Sequence, residues 1–481
     1  MNKINAWFIN PWVTDFTAYD LWSKPLGLLY IISFLREYAP VNPILIDVMD
    51  RFHPYMDKYG YHPKKKKYGI GNYHREIIEK PDILKDVPRY FSYYGMPQHL
   101  VEKLIGEYGK NYPPDIVFVT SIMTYWYPGV QSMISLIKTH FKDVPIVLGG
   151  IYPTLLPNHA RVHSGADYII EGPGEIAALE LLEKLFPEYG ISIPESKNMD
   201  QFPWPAMDLY PHLPYLVVMT SRGCPFRCSF CASHLLQKSF MVRSYPEVVE
   251  EIIVQSKKFQ IRDVAFYDDA LLVNRDKHFK PILEELLKRT STLRYHTPNG
   301  LHGKYIDQEV AELMVKNNFK TIRISFEYYN PDKKDQISNK ISNDEFIRAV
   351  SVLEKAGYKR KMIESYIIMG LPGQSVQEVL ESMLFLHSQG VLIRLASFSP
   401  IPGTDDFEKA VEEGMIPPDI DPLLCNKSIF PLYKNFLSYQ VLQKLRQFTI
   451  ILNEATKRGV NFISDHHLAS DFFNAFIKLK N

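Results

Sequence analysis

Cysteine is nearly absent from this chain, with four residues in 481. That scarcity excludes a disulfide framework and fits a reducing compartment. Charge of one sign is lacking as well. Lysine and arginine total 55 against 54 acidic residues, a formal net charge of +1, so no global field draws the chain to nucleic acid. There is no long apolar run either. The most apolar early segment, Pro25 to Tyr38, carries Arg36 and Glu37 and is too short to cross a bilayer. The opening MNKINAWFIN lacks the apolar stretch and small-residue cleavage site of a signal peptide. A cytoplasmic protein without a membrane span is expected. Its length suits two or three domains with cores of their own.

What cysteine there is falls in one place. Cys224, Cys228 and Cys231 lie within eight positions, spaced C-x3-C-x2-C and flanked by Gly223 and Pro225. Thiolates are the ligands of iron-sulfur clusters, and three of them on a four-iron cluster leave one iron open for a substrate or cofactor. A structural zinc site, with His234 as fourth ligand, is the competing assignment, although closed zinc sites usually take two separated ligand pairs. Arg222, Arg227 and Arg243 flank the loop, either as charges that tune a cluster or as solvated side chains.

The spacing, with Phe230 before the last cysteine, resembles the signature of the radical S-adenosylmethionine (SAM) superfamily. The resemblance implies a [4Fe-4S] cluster on the three cysteines. Its open iron binds the amino and carboxylate groups of SAM, and SAM is then cleaved to a 5'-deoxyadenosyl radical that abstracts a substrate hydrogen. It also implies an electron donor such as flavodoxin or ferredoxin.

Before the cysteines, near-continuous apolar runs alternate with helical spacing. Strands are predicted at Ile4 to Ile9, Ile44 to Val48, Asp115 to Ser121, Pro145 to Gly150 and Asp167 to Gly172. Helices are predicted from Pro25, around Gly129 to His140 and from Gly174. The pattern predicts a doubly wound parallel sheet covered on both faces. Ligands of such sheets bind beyond the carboxyl ends of the strands. The ordered motifs P-L-G-L-x-Y, I-D, P-D-I-V, V-L-G-G-x-x-P-T and D-Y-x-x-x-G-x-G-E resemble the cobalamin-binding domain of many radical SAM enzymes. By that resemblance Thr120, Ser121, Gly149, Gly150, Tyr152, Pro153, Glu171 and Gly172 are cobalamin-site candidates. The loop after the first strand, Pro11 to Asp20, has no D-x-H-x-x-G and so no histidine to ligate cobalt. Asp50 and His53 lie after the second strand at another spacing and read as loop residues. The stretch 54–113 reads as an insertion rich in bases and aromatics, either a lid over the substrate or, for Lys64 to Lys67, a solvated charge run.

After a proline-rich linker, strands are predicted at Leu216 to Thr220, Val264 to Tyr267, Leu293 to His296, Thr321 to Phe326, Met362 to Met369 and Ile393 to Phe398. Six strand-helix units make a partial TIM-like barrel, whose chemistry belongs at the carboxyl ends of the strands. Asp268 and Asp269 stand where the radical SAM family usually has G-G-E, as carboxylates for the SAM ammonium. Asn299, Arg323, Ser325, Glu327 and Gly370 complete the SAM candidates together with Phe230. Alternation puts Arg323, Ser325 and Glu327 on one face. The G-L-P-G turn at Gly370 offers backbone to adenine. Cys425 reads as a buried thiol without a role, and Asp465-His-His467 as a surface stretch.

The expected fold class is α/β. A Rossmann-like cobalamin-binding-type domain spans 1–190, with its insertion at 54–113 and a linker at 191–214. A partial (β/α)6 radical SAM barrel spans 215–411, and a helical region spans 412–481. The expected function is cobalamin-dependent methylation of an unactivated carbon. Rearrangement, cyclisation or oxidation is the alternative, and a metal-stabilised binding protein is the alternative of another class.

Overall fold

Strands that are apolar on both faces need cover on both faces, and the first half of the chain satisfies that requirement in a five-stranded sheet. In this computed structural model, which describes residues 3–64, 66–195, 198–329, 338, 340–429 and 439–461, the spatial order is Tyr168–Ile169, Ile146–Leu148, Ile116–Val119, Ile4–Asn10, Val41–Asp47. All four neighbouring pairs are parallel. The chain divides into two compact units, Met1–Val217 with Gln255–Ile261, and Val218–Val254 with Arg262–Asn481.

Strand order reverses between Ile4–Asn10 and Ile116–Val119, so the ligand crevice of the first unit lies at the carboxyl ends of those two strands. Helices Leu26–Tyr38, Tyr127–His140 and Gly174–Leu185 form where apolar spacing predicts them. Helix Gln98–Asn111 is one of the connections of the sheet, so the true excursion ends near residue 97.

That excursion pairs with the loop that follows the first strand. Val13, Thr14 and Asp15 lie opposite Tyr94, Tyr93 and Ser92 in an antiparallel ladder, which Arg75–Ile78 extends. Tyr19 and Asp20 pair with Asn72 and Gly71. Two indoles fasten it: Trp12 Nε1 donates to the Met96 carbonyl at 2.7 Å and Trp22 Nε1 to the Tyr68 carbonyl at 2.9 Å. Lys64, Lys66 and Lys67 are exposed, as a solvated charge run would be.

The stretch read as a linker is packed rather than extended. Ala206, Met207, Tyr210 and Leu213 are buried, and Tyr210 donates its hydroxyl to Asp47 Oδ2 at 2.6 Å. Asp47 ends the second strand and also accepts from Asn10 at 2.7 Å. Lys24 Nζ lies 3.3 Å from Asp50 and 4.0 Å from Asp47, over the face of Tyr210 at 3.7 Å. Arg51 pairs with Asp20 at 2.8 Å, and Tyr215 donates to the same carboxylate at 2.8 Å. Proline content therefore misled: hydroxyl and carboxylate partners far apart in sequence hold these residues.

Among the described residues six strands of the second sheet stand in sequence order, Leu216–Val218, Asp263–Phe266, Arg294–His296, Phe319–Glu327, Ile363–Met369 and Leu392–Ser397. From Asp263–Phe266 onward each neighbouring pair is parallel, which is the arrangement of a partial (β/α)6 barrel. Leu301–His302 adds a two-residue strand beside Phe319–Glu327. Helix Tyr439–Arg458 follows, with Asn453 bonded to both backbone groups of Ile393. Asp465, His466 and His467 lie outside the described residues. Among the described residues no helix is long and apolar enough to cross a membrane.

Lys24 is the cation shared by buried Asp47 and Asp50, so Lys24→Met leaves both carboxylates uncompensated. Chemical denaturation should show a loss of about 3–5 kcal/mol.

Candidate active site

The cysteine loop leaves the carboxyl end of the first barrel strand, and a buried carboxylate holds its start. Asp268 accepts from Thr220 N at 3.0 Å, Thr220 Oγ1 at 2.7 Å and Ser221 Oγ at 2.6 Å. His278 Nε2 meets Thr220 Oγ1 at 2.9 Å. Arg243, buried and paired with Glu251, donates to the Met219 carbonyl at 3.1 Å. Arg243 is therefore a strut of the loop, while Arg227 is exposed. Further along, Ser229 donates to Asp406 Oδ2 at 2.8 Å and its carbonyl accepts from Asp406 N at 3.0 Å, which ties the loop to helix Asp405–Glu412. Gly223 has φ +81, and a Cβ there would meet the Ser239 carbonyl at 2.8 Å, so only glycine makes this turn.

The three thiols are free, Cys228 buried and the other two half-buried. Burial pushes the Cys228 thiol up to about 12 and raises Cys224 as well. The nearby ammonium of Lys340 opposes both shifts. Iron would supply the positive charge such thiolates lack. Among the described residues no group of three or more His, Cys, Asp or Glu side chains gathers round a single ion. Cluster ligands need no such convergence, because each thiolate takes a separate iron. The donor set thus fits an iron-sulfur cluster.

The candidates around the loop divide into two groups. Asp268 is occupied by the loop's own donors, which corrects its expected role toward the SAM ammonium. Asp269, the exposed neighbour, accepts from Ser233 Oγ at 3.0 Å, and Ser233 Oγ accepts from Cys231 Sγ at 3.3 Å. Of the pair, Asp269 is the carboxylate beside the thiols. Asn299 Nδ2 donates to the carbonyls of Tyr267 and Asp268 at 3.0 and 3.2 Å, so it shapes the acidic turn. Arg323 spends its guanidinium on Glu364 at 2.8 Å, the Pro298 carbonyl and the Tyr366 hydroxyl. The N–H groups of Gly370 and Leu371 are both taken by Gln374 Oε1, at 2.6 and 3.2 Å, so that turn does not offer them to adenine.

The expected shared face of Arg323, Ser325 and Glu327 is interrupted. The register with Ile363–Met369 shifts between Ser325 and Glu327, and Glu327 adopts φ +69. The bulge turns Glu327 to Lys340 Nζ at 2.9 Å, and that ammonium lies 5.6 Å from the Phe230 ring centre. Burial alone would lower the Lys340 pKa, but Glu327 and the Cys228 thiolate raise it, so Lys340 is a held cation beside the thiols. Its position in the sequence, far beyond the strand, carried no signal. Cys425 is buried as expected, its thiol pushed up to about 12 by burial.

In the first unit Thr120 and Ser121 follow strand Ile116–Val119 at the strand-order reversal, and Gly149 and Gly150 follow its neighbour Ile146–Leu148. Gly150 has φ +100, and a Cβ there would lie 2.3 Å from the Ser121 carbonyl. Ser121 Oγ is buried without a hydrogen-bond partner among the described residues. A close backbone turn with an unpaired hydroxyl fits a bound polar group, and cobalamin carries amide side chains. The other candidates are engaged elsewhere: Tyr152 with His159 at 2.7 Å, Glu171 with Arg161, and Gly172 N with Thr154 Oγ1 at 2.9 Å. Pro153 is buried. His53 Nδ1 caps a short helix by accepting from Tyr55 N at 3.2 Å.

Two substitutions separate the acidic pair. Asp268→Ala strips the acceptor from three buried donors and should cost roughly 3 kcal/mol in denaturant unfolding. Asp269→Ala, at an exposed position, should stay within about 0.5 kcal/mol. His302, beside this loop, is held by burial and then by Lys340 and Lys304 at a pKa of about 3, below its ordinary 6.5. Above pH 6.5 its contribution is complete. Below that the unfolded chain takes a proton the folded one refuses, so stability falls by about 1.4 kcal/mol per pH unit. A His302→Phe variant should show a correspondingly flatter loss between pH 6.5 and 5.

A family model for the radical SAM superfamily matches residues 218–386, and one for the B12 binding domain matches residues 90–182. An uncharacterized methyltransferase of Pyrococcus horikoshii is 27% identical over 413 residues, 78% of this chain and 86% of that one. The cytidylyl-2-hydroxyethylphosphonate methyltransferase of Streptomyces wedmorensis is 23% identical over 478 residues, 85% of this chain and 82% of that one. The solved radical SAM methyltransferase TsrM of Kitasatospora setae, with cobalamin and a [4Fe-4S] cluster bound, shares the fold. Its TM-score is 0.62 at 15% identity, over 86% of this chain and 78% of that one. The cofactors of the two matched domains are a [4Fe-4S] cluster, SAM and cobalamin. With its thiol loop at the end of the first barrel strand and a B12-binding sheet ahead of it, the chain carries a radical SAM domain and a B12-binding domain and is an enzyme of the radical SAM class.

Proposed function

We propose that this enzyme is a cobalamin-dependent methyltransferase acting on an unactivated carbon. The observation that carries the proposal is the pairing in one chain of the three-thiol loop with a switch-point crevice where Ser121 Oγ is buried and unpaired. When bound, the cluster with SAM supplies hydrogen-atom abstraction, and cobalamin supplies methyl transfer. The methyltransferase names of the P. horikoshii and S. wedmorensis relatives support that choice of reaction.

The chain's own residues bind and orient. Cys224, Cys228 and Cys231 hold the cluster on a loop fixed by Asp268, Arg243 and Asp406. Asp269, beside Cys231, would take the SAM ammonium, and Lys340, held by Glu327, would balance the thiolate charge or take the SAM carboxylate. Phe230 and Ser325 complete the SAM surface. Thr120, Ser121, Gly149 and Gly150 would hold cobalamin, and the Pro11 to Asp20 loop has no histidine to offer it. A reductant such as flavodoxin or ferredoxin supplies the electron, and the protein works in the cytoplasm.

Anaerobic purification with cobalamin supplied should give iron, sulfide and corrinoid together, and turnover with reductant and SAM should yield both S-adenosylhomocysteine and 5'-deoxyadenosine. Deoxyadenosine alone would count against methyl transfer. Uptake of zinc without iron or sulfide would remove the whole assignment. Alanine at all three cysteines should reduce bound iron to background.

A further inference from the structure

His302 sits in the two-residue strand Leu301–His302, where Leu301 pairs with Ile324 and His302 with Ser325 in parallel register. Ile324 faces the helix side: a Cβ built on Gly303 would meet both Ile324 Cγ2 and Ala349 of helix Asn343–Ala356. Successive strand residues alternate, so Ser325 and its partner His302 face the opposite, inner side.

The ring is 1% exposed, and among the described residues neither nitrogen has a hydrogen-bond partner. An imidazole always carries at least one N–H, and a buried donor left unpaired costs about 1–3 kcal/mol. Native sites rarely leave such a group without an acceptor. Burial keeps this ring neutral, with one donor and one acceptor nitrogen. What pins it is stacking. Its plane lies 20° from that of Phe226, with centroids 4.6 Å apart. Phe226 stands midway between Cys224 and Cys228 in the loop, and the Lys304 ammonium lies 4.7 Å from the Phe226 ring centre. An unpaired N–H is thus clamped against the loop whose thiols take the cluster.

We infer that His302 donates its buried N–H to a sulfur of the iron-sulfur cluster and thereby raises the cluster's reduction potential. The inference rests on the cluster assignment proposed above. Hydrogen bonds to cluster sulfurs stabilise the more negative, reduced state and are one of the levers that set its potential. In this arrangement Phe226 is the positioning residue, since it orients the imidazole through the face of its ring.

The test compares wild type, His302→Phe and His302→Gln after anaerobic reconstitution, with iron and sulfide counted in each. Midpoint potentials come from EPR-monitored titration, and exchangeable protons near the reduced cluster from deuteron couplings in D2O. A lower potential in the Phe variant, loss of one deuteron coupling and recovery of both in the Gln variant are expected. His302→Leu, which also lacks a donor, gives the same comparison where the Phe ring is not accommodated. Equal potentials and unchanged couplings in loaded variants overturn the role of His302 and leave the cluster assignment standing. A wild-type protein that takes up no iron and sulfide overturns both.

Discussion

The barrel unit depends on one buried carboxylate. Asp268 ends the second strand's turn and takes three donors from Thr220 and Ser221, the last residues before the cysteine loop. A glycine-containing loop with three thiols has no internal reason to hold one shape. Anchoring its start to a neighbouring strand, and its middle to Asp406, gives it one shape. Burial raises the Asp268 pKa while the Ser221 and Thr220 donors oppose the rise, so the carboxylate and the loop stabilise each other.

The first unit uses the same device for a different end. Asp47 and Asp20 sit after or near the sheet and gather Asn10, Tyr210, Arg51 and Tyr215. These bonds fasten the proline-rich stretch before the barrel. The backbone ladder between Val13–Asp15 and Phe91–Tyr94 uses up the loop in which a cobalt-ligating histidine would otherwise be sought. The crevice that remains is made by backbone: a glycine at φ +100 against the Ser121 carbonyl. In both units most buried charged groups spend themselves on geometry, whereas Asp269 stays exposed beside the thiols.

Much of this was legible from residues alone. Apolar runs located all five strands of the first sheet and all six of the barrel, because strands buried on both faces cannot disguise their composition. Clustering of scarce cysteines marked the site. The division of labour between Asp268 and Asp269 was not legible, since adjacent aspartates look alike until one is buried under donors from another strand. Arg323 and Gly370 were drawn into the SAM set by position at strand ends, but Glu364 and Gln374 had already claimed their polar groups. Lys340 and His302 escaped notice because neither stands at a predicted strand end.

The sequence by itself determined which elements form, their parallel arrangement and where the three thiols gather, since these follow from composition, periodicity and the spacing of scarce cysteines. Only the tertiary structure decided which polar groups are free to meet a cofactor. The hydrogen-bonding capacity of Asp268, Asn299 and Arg323 is taken up by partners far away in the chain, and no local pattern records that.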